Sequence, residues 1–223
     1  MNSDEYAATV DIINEHVTAI LRGRALLRSV REALAENANR PFEQDHVFAR
    51  HYGRAPSEAQ QHLVHGVAIT SRILHQTGTN LSDIAGADLL YEVEDSKYVL
   101  IQYKRANAGR VTNDPEQMTE LIGGCPSRCN SHLLSAFWCG AWVALVVSDA
   151  DQVILPSCAA RDVFAGRKSA TVSSFKRAMT HSTFDELFAK CYAGARTAFP
   201  SIEEIAGRAF GQRRIVFVVT ELA

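Results

Sequence analysis

At 223 residues, with 47% hydrophobic and 22% charged side chains, the chain can bury a substantial core in one elaborated domain or two small ones, which excludes disorder as its default state. A formal net charge of -2 provides no global attraction to nucleic acid, so any such binding must rest on local basic patches. No apolar run reaches membrane-spanning length, the start MNSDEYAATV lacks the features of a signal peptide, and the five cysteines are odd in number; these point to a cytoplasmic protein, off the membrane, with reduced thiols or metal ligands in place of a disulfide framework.

From about Asp4 to Asn39, apolar residues recur at helical spacing (Ile13, Val17, Ile20, then Leu27, Val30, Leu34) around Gly23. This predicts two amphipathic helices, or one bent near Gly23, ending before Pro41. The next stretch, Pro56 to Gly78, is expected to be a helix with Leu63, Val67, Ile69, Ile73 and Leu74 toward a core. His62 and His65, i and i+3 on that helix, read as structural or surface histidines, since no H-E-x-x-H pattern accompanies them.

GADLLYEVEDSKYVLIQYKRAN, residues 86 to 107, follows as two strands around a charged turn. A short helix is expected from Asp114, with Pro115 in its first turn. AWVALVVSD and QVILPS read as strands, STFDELFAKCYAGARTAF and SIEEIAGRAF as helices, and RIVFVVTEL as a last strand. The order predicts an α/β (α+β layered) domain around a mixed sheet, divided into an N-terminal helical segment (1–50), a core (51–160) and C-terminal helices with a final strand (161–223).

Along the second hairpin strand Tyr98, Leu100, Gln102 and Lys104 share one face and Val99, Ile101 and Tyr103 the other. Both faces are apolar up to residue 101, which describes a central strand and not a half-solvated edge. On the first strand Asp88 falls among apolar neighbours, where an uncompensated carboxylate is costly. Lys104 or a metal can compensate it, and register decides whether Lys104 does. A four-residue turn places Asp88 opposite Tyr103, on the wrong face, whereas a three- or five-residue turn, or a bulge, is expected to place it opposite Lys104.

Gly86-Ala-Asp88, a hairpin, and then Gln102-Tyr-Lys104 at the end of a hydrophobic strand resemble the core of the PD-(D/E)XK nuclease superfamily in its Q-x-K variant, as in Mrr-type restriction endonucleases. The resemblance implies a restriction-endonuclease-like sheet flanked by helices over roughly Ser57 to Leu155. It also implies a Mg²⁺- or Mn²⁺-dependent hydrolase cutting phosphodiester bonds, most simply a DNA endonuclease of a restriction or anti-phage system. In that family the aspartate, here Asp88, binds the metal, the residue at Gln102 lends a second ligand, and the lysine, here Lys104, orients water and stabilises charge. An acidic residue on the preceding helix often joins them, and Glu58 is the first candidate, Glu43 the second. Gln117 is similar to a glutamine often found near these sites. A homodimer or a companion defence subunit is the partner such systems imply, beside the nucleic acid itself.

Hard divalent cations take oxygen ligands, and Lys104 supplies positive charge where negative charge develops, so the chemistry of the residues agrees with these roles. Arg105, Asn107, Arg110 and Asn113 follow directly and are candidates for holding a phosphate backbone, or else form a polar surface loop. The basic clusters FKRAM and GQRR read as solvated faces. Cys125 and Cys129, in GGCPSRCNSH, have the spacing of half a structural zinc site that His132, Cys139 or Cys158 would complete. Neutral Gln102 leaves open a second class of function, a catalytically inactive nuclease-like binding or assembly module.

Overall fold

The computed structural model describes residues 3–36, 59–74, 86–94, 96–123, 125, 139–148, 151–190 and 193–197. Helix α1, Ser3–Glu36, is continuous. Ile20, Gly23, Leu27, Val30 and Leu34 are buried along it at alternating spacings of three and four residues, the stripe a helix lays on a core. Gly23 therefore lies within the seam and marks no break. A methyl group there would come within 3.2 Å of the Arg196 carbonyl and 3.3 Å of the Tyr98 ring.

The helix expected after Pro56 is corrected to a hairpin, β1 (Ala59–Val64) and β2 (Val67–Ile73). His65 and Gly66 join the strands with φ of 49° and 79°, the two left-handed residues of a type I′ turn, which suits the twist of a two-residue hairpin. Val64, Val67, Ile69, Thr70 and Ile73 are β-branched, and in a helix Gly66 would have cost about 1 kcal/mol relative to alanine. Exposure alternates along β1, and Leu63, expected in the core, is 76% exposed.

Strands β3 (Leu89–Val93) and β4 (Lys97–Arg105) form the second hairpin as expected. A tight turn at Ala108 and Gly109 leads into β5 (Arg110–Thr112). Helix α2, Pro115–Gly123, is capped by Asp114, whose Oδ1 accepts the Gln117 N–H at 3.2 Å. Then come β6 (Ala141–Val146), β7 (Gln152–Pro156) and helix α3, Ser157–Phe164, which periodicity does not reveal. Short strands β8 (Ser169–Thr171) and β9 (Met179–Thr180) precede helix α4, His181–Ala189, which Thr180 caps through the Thr183 N–H. The helix expected to run from Ser182 to Phe199 thus stops at Ala189. Gly194, at φ 105° against the Phe188 ring, turns the chain, and β10 (Ala195–Arg196) pairs with the start of β4. SIEEIAGRAF and RIVFVVTEL lie outside the described residues.

Eight strands form one mixed sheet in the order β1-β2-β3-β4-β6-β7-β9, with β10 joined to β4. The β4–β6 pair is parallel and its neighbours are antiparallel. Tyr98 and Leu100 face a cluster built with α1, α2 and α3, while Val99, Ile101 and Tyr103 face one built with α4. The fold is a mixed α/β sheet flanked by helices, an arrangement consistent with a restriction-endonuclease-like core. No helix among the described residues is long and apolar enough to cross a membrane.

Candidate active site

The turn between β3 and β4 is Glu94 to Ser96, three residues, an odd count. The ladder pairs Leu89 with Ile101 and Leu90 with Leu100, so counting on sets Asp88 level with Gln102 and not, as expected, with Lys104. Lys104 lies two residues further along the same face. Asp88 joins the ladder irregularly: its N–H bonds the carbonyl of Ile101 at 2.9 Å, the residue that Leu89 already faces. Irregular steps of this kind re-aim side chains. Here Asp88 Oδ2 accepts the backbone N–H of Tyr103 at 2.8 Å, so a carboxylate oxygen takes a donor that a neighbouring strand would otherwise satisfy.

Three polar residues are thereby buried at one end of the central hairpin: Asp88 and Gln102 at 1% exposure and Lys104 at 8%. Lys104 Nζ donates to Gln117 Oε1 at 3.5 Å. Burial pushes the Lys104 ammonium below its ordinary range, and the carboxylates of Asp114 and then Asp88 pull it part of the way back. Among the described residues Gln102 Oε1 has no hydrogen-bond partner, an acceptor withdrawn from water and left unused.

Gly86 explains how α2 reaches this centre. With φ at 59°, it lets the loop before Asp88 approach α2 so closely that a Cβ would sit 2.6 Å from the Gln117 carbonyl oxygen and 2.6 Å from the Leu121 nitrogen. The same approach brings Gln117 to Lys104. Asp114 is legible in sequence only as a helix cap; its proximity to Lys104 depends on how α2 docks.

Arg105 and Arg110 are both exposed near this end, with Arg110 bonded to Ser169 Oγ through Nε at 3.3 Å and Nη2 at 2.7 Å. Asn107 pairs with Arg110 across the tight turn, and Asn113 Nδ2 donates to the Arg167 carbonyl at 3.4 Å. Glu58 and Glu43 lie outside the described residues, and the helix expected to carry Glu58 is replaced by a strand beginning at Ala59. His62 sits in that strand with its ring 5.5 Å from Tyr91, and His65 is in the turn.

Cys129 and His132 also lie outside the described residues. Cys125, Cys139 and Cys158 are free thiols, and Cys139 meets each of the other two: it donates to the Ala141 carbonyl at 3.1 Å, and its bonds to Cys125 and Cys158, with burial, hold its thiol well above the ordinary range. Among the described residues, no group of three His, Cys, Asp or Glu side chains is arranged to hold a metal ion.

As a donor set, the Asp88 carboxylate and the unused Gln102 amide oxygen suit a hard divalent cation that keeps several waters. They do not suit a soft metal, which prefers sulfur. No protein-family model matches the chain, and no curated protein matches its sequence. Among solved structures, it is similar to the Holliday junction resolvase Hjc of Archaeoglobus fulgidus, an archaeal hyperthermophile, at 12% identity and a TM-score of 0.37, over 52% of this chain and 86% of that one.

Proposed function

We propose that the protein is a metal-dependent nuclease that hydrolyses phosphodiester bonds, with DNA as substrate and a restriction or anti-phage role as the biological analogy. One observation carries the reading: a carboxylate, an amide oxygen with no partner among the described residues and a lysine are buried together at the end of a hairpin strand that is apolar from Tyr98 to Ile101. Leaving an amide oxygen unsatisfied costs about 1–3 kcal/mol, and a ligand removes that cost.

Asp88 and Gln102 would hold Mg²⁺ or Mn²⁺. Such an ion, when bound, polarises a phosphoryl oxygen and acidifies a coordinated water. Lys104 holds positive charge where the phosphate gains negative charge, Gln117 fixes the direction of its ammonium, and the Tyr103 N–H fixes the carboxylate of Asp88. Because Gln102 is neutral, it binds the ion less tightly than a carboxylate would. Helices α1 and α4 then flank and support the core, and β9 and β10 extend its sheet.

The test is to incubate supercoiled plasmid, single-stranded DNA and RNA with the protein and Mg²⁺ or Mn²⁺, beside a chelator control. Metal-dependent nicking is expected, with Gln102→Glu retaining cleavage at lower metal concentration. Absence of cleavage on all three substrates favours the second reading, an inactive binding or assembly module, for which neutral Gln102 at the second ligand position is the specific support.

A further inference from the structure

Beyond Lys104 the chain makes an excursion whose charge is unlike that of the whole. Residues 105–112 and 165–178 hold Arg105, Arg110, Arg167, Lys168, Lys176 and Arg177 and not one aspartate or glutamate, in a chain whose Asp and Glu outnumber its Lys and Arg by 25 to 23. The two segments are distant in sequence and meet because β5 pairs antiparallel with β8 in a small second sheet, Arg110 facing Thr171 and Thr112 facing Ser169. Facing residues project to the same side. Val111 and Ala170 point inward and are buried, while Arg110, Thr112 and Thr171 are exposed and Ser169 half-exposed on the outer side.

The outer face is therefore guanidinium and hydroxyl, with Lys168, Lys176 and Arg177 exposed on the adjoining turns. Arg167 is already engaged, its guanidinium bonded to the Val163 and Phe164 carbonyls that end α3. Arg110 is held in place by Ser169. Lysine, arginine, serine and threonine are the side chains that contact the phosphates and sugars of a nucleic-acid backbone. Grooves for single strands add aromatic side chains on which bases stack, and the one aromatic residue of these segments, Phe175, is buried at 4% exposure against Phe164.

We infer that the β5–β8 ribbon and its flanking turns are a grip for the phosphate backbone of double-helical nucleic acid, contacted without base stacking and through charge more than sequence. The grip rests on the nuclease reading for its use, since it continues directly from the strand that carries Lys104 and ends at Arg105. Its binding is nevertheless separable from cleavage.

The experiment measures fluorescence anisotropy of a labelled DNA duplex and of the matching single strand, without divalent metal, across a range of salt. The proteins are wild type and a variant carrying Arg110→Gln, Lys168→Gln, Lys176→Gln and Arg177→Gln. Wild type is expected to prefer the duplex. The variant is expected to bind it about a hundredfold more weakly, with the slope of log K against log salt smaller by about three to four, near one for each phosphate no longer neutralised. Should the fourfold variant misfold by circular dichroism, Lys168→Gln and Lys176→Gln singly, each with a slope change of about one, serve in its place. An unchanged duplex affinity and slope overturn the grip, as does wild type that binds no nucleic acid. Tighter binding of the single strand overturns the duplex assignment. Ribbon-dependent binding by a protein that never cleaves leaves the grip standing and removes the nuclease reading instead.

Discussion

Besides Lys97, which lies over the Phe188 ring, the hairpin β3–β4 buries charge at two places, each with a carboxylate, and they are managed in opposite ways. Glu92, 3% exposed, lies 3.0 Å from Arg31 of α1 and 3.6 Å from Arg72 of β2, so its carboxylate has two cations of its own. Four residues earlier on the same hairpin arm, Asp88 shares its surroundings with an ammonium whose pKa burial lowers and an amide oxygen that no described residue uses. Both places lie within one hairpin and one core. The first is saturated and acts as a clamp between helix and sheet; the second keeps a buried acceptor idle, which a packed interior tolerates best where a ligand completes it.

Substitution separates the two, the largest effect being at the unsaturated end. Lys104→Ala or Asp88→Asn is expected to lower single-turnover cleavage of plasmid by about 10²- to 10³-fold or more while the melting temperature stays close to wild type, since the asparagine oxygen can still accept the Tyr103 N–H. Equal loss of cleavage in Glu92→Gln would erase the contrast. That variant should instead keep its rate constant and lose about 2 kcal/mol of stability in a urea titration, because two arginines lose the charge they share. Arg31 and Arg72 are part-exposed, which holds the loss below that of a fully buried pair.

The smallest effect is in the pH dependence, and its sign differs between activity and stability. The folded pKa of Lys104 lies below its ordinary 10.5. As pH rises through that lowered value the ammonium is lost, and a cleavage rate that depends on it should fall before 10.5 is reached. Over the same window the unfolded chain binds more protons than the folded one, so the contribution of Lys104 to stability rises with pH. Rate and urea midpoint measured together at alkaline pH should move apart in wild type, and Lys104→Met should flatten both trends. Parallel movement of rate and stability would assign the lost activity to unfolding.

Much of the centre is legible in sequence because its signals are local. Alternation assigns the faces of β4 residue by residue, and the apolar character of both faces identifies a central strand. The parity of the turn is the deciding count and it is odd, yet Asp88 stands level with Gln102, two residues short of the Lys104 level that parity alone suggests. The first hairpin resembles a helix in sequence because Leu63, Val67, Ile69 and Ile73 satisfy a helical pattern about as well as their β-branched neighbours satisfy a strand, and a His-Gly turn is a weaker signal than Asn-Gly or Asp-Gly. Gly23 has the look of a break, whereas it serves close packing against Tyr98.

By itself, the sequence determined that Asp88, Gln102 and Lys104 stand at the end of a buried hairpin, because side-chain direction along a strand follows from the backbone alone. Only the tertiary structure decided that the Gln102 oxygen is left without a partner among the described residues, that Gly86 admits α2 to the site, and that FKRAM stands on the same excursion as Arg110. Those outcomes depend on contacts between segments far apart in the chain, and no local pattern records which distant strand, helix or charge will arrive to complete a residue's surroundings.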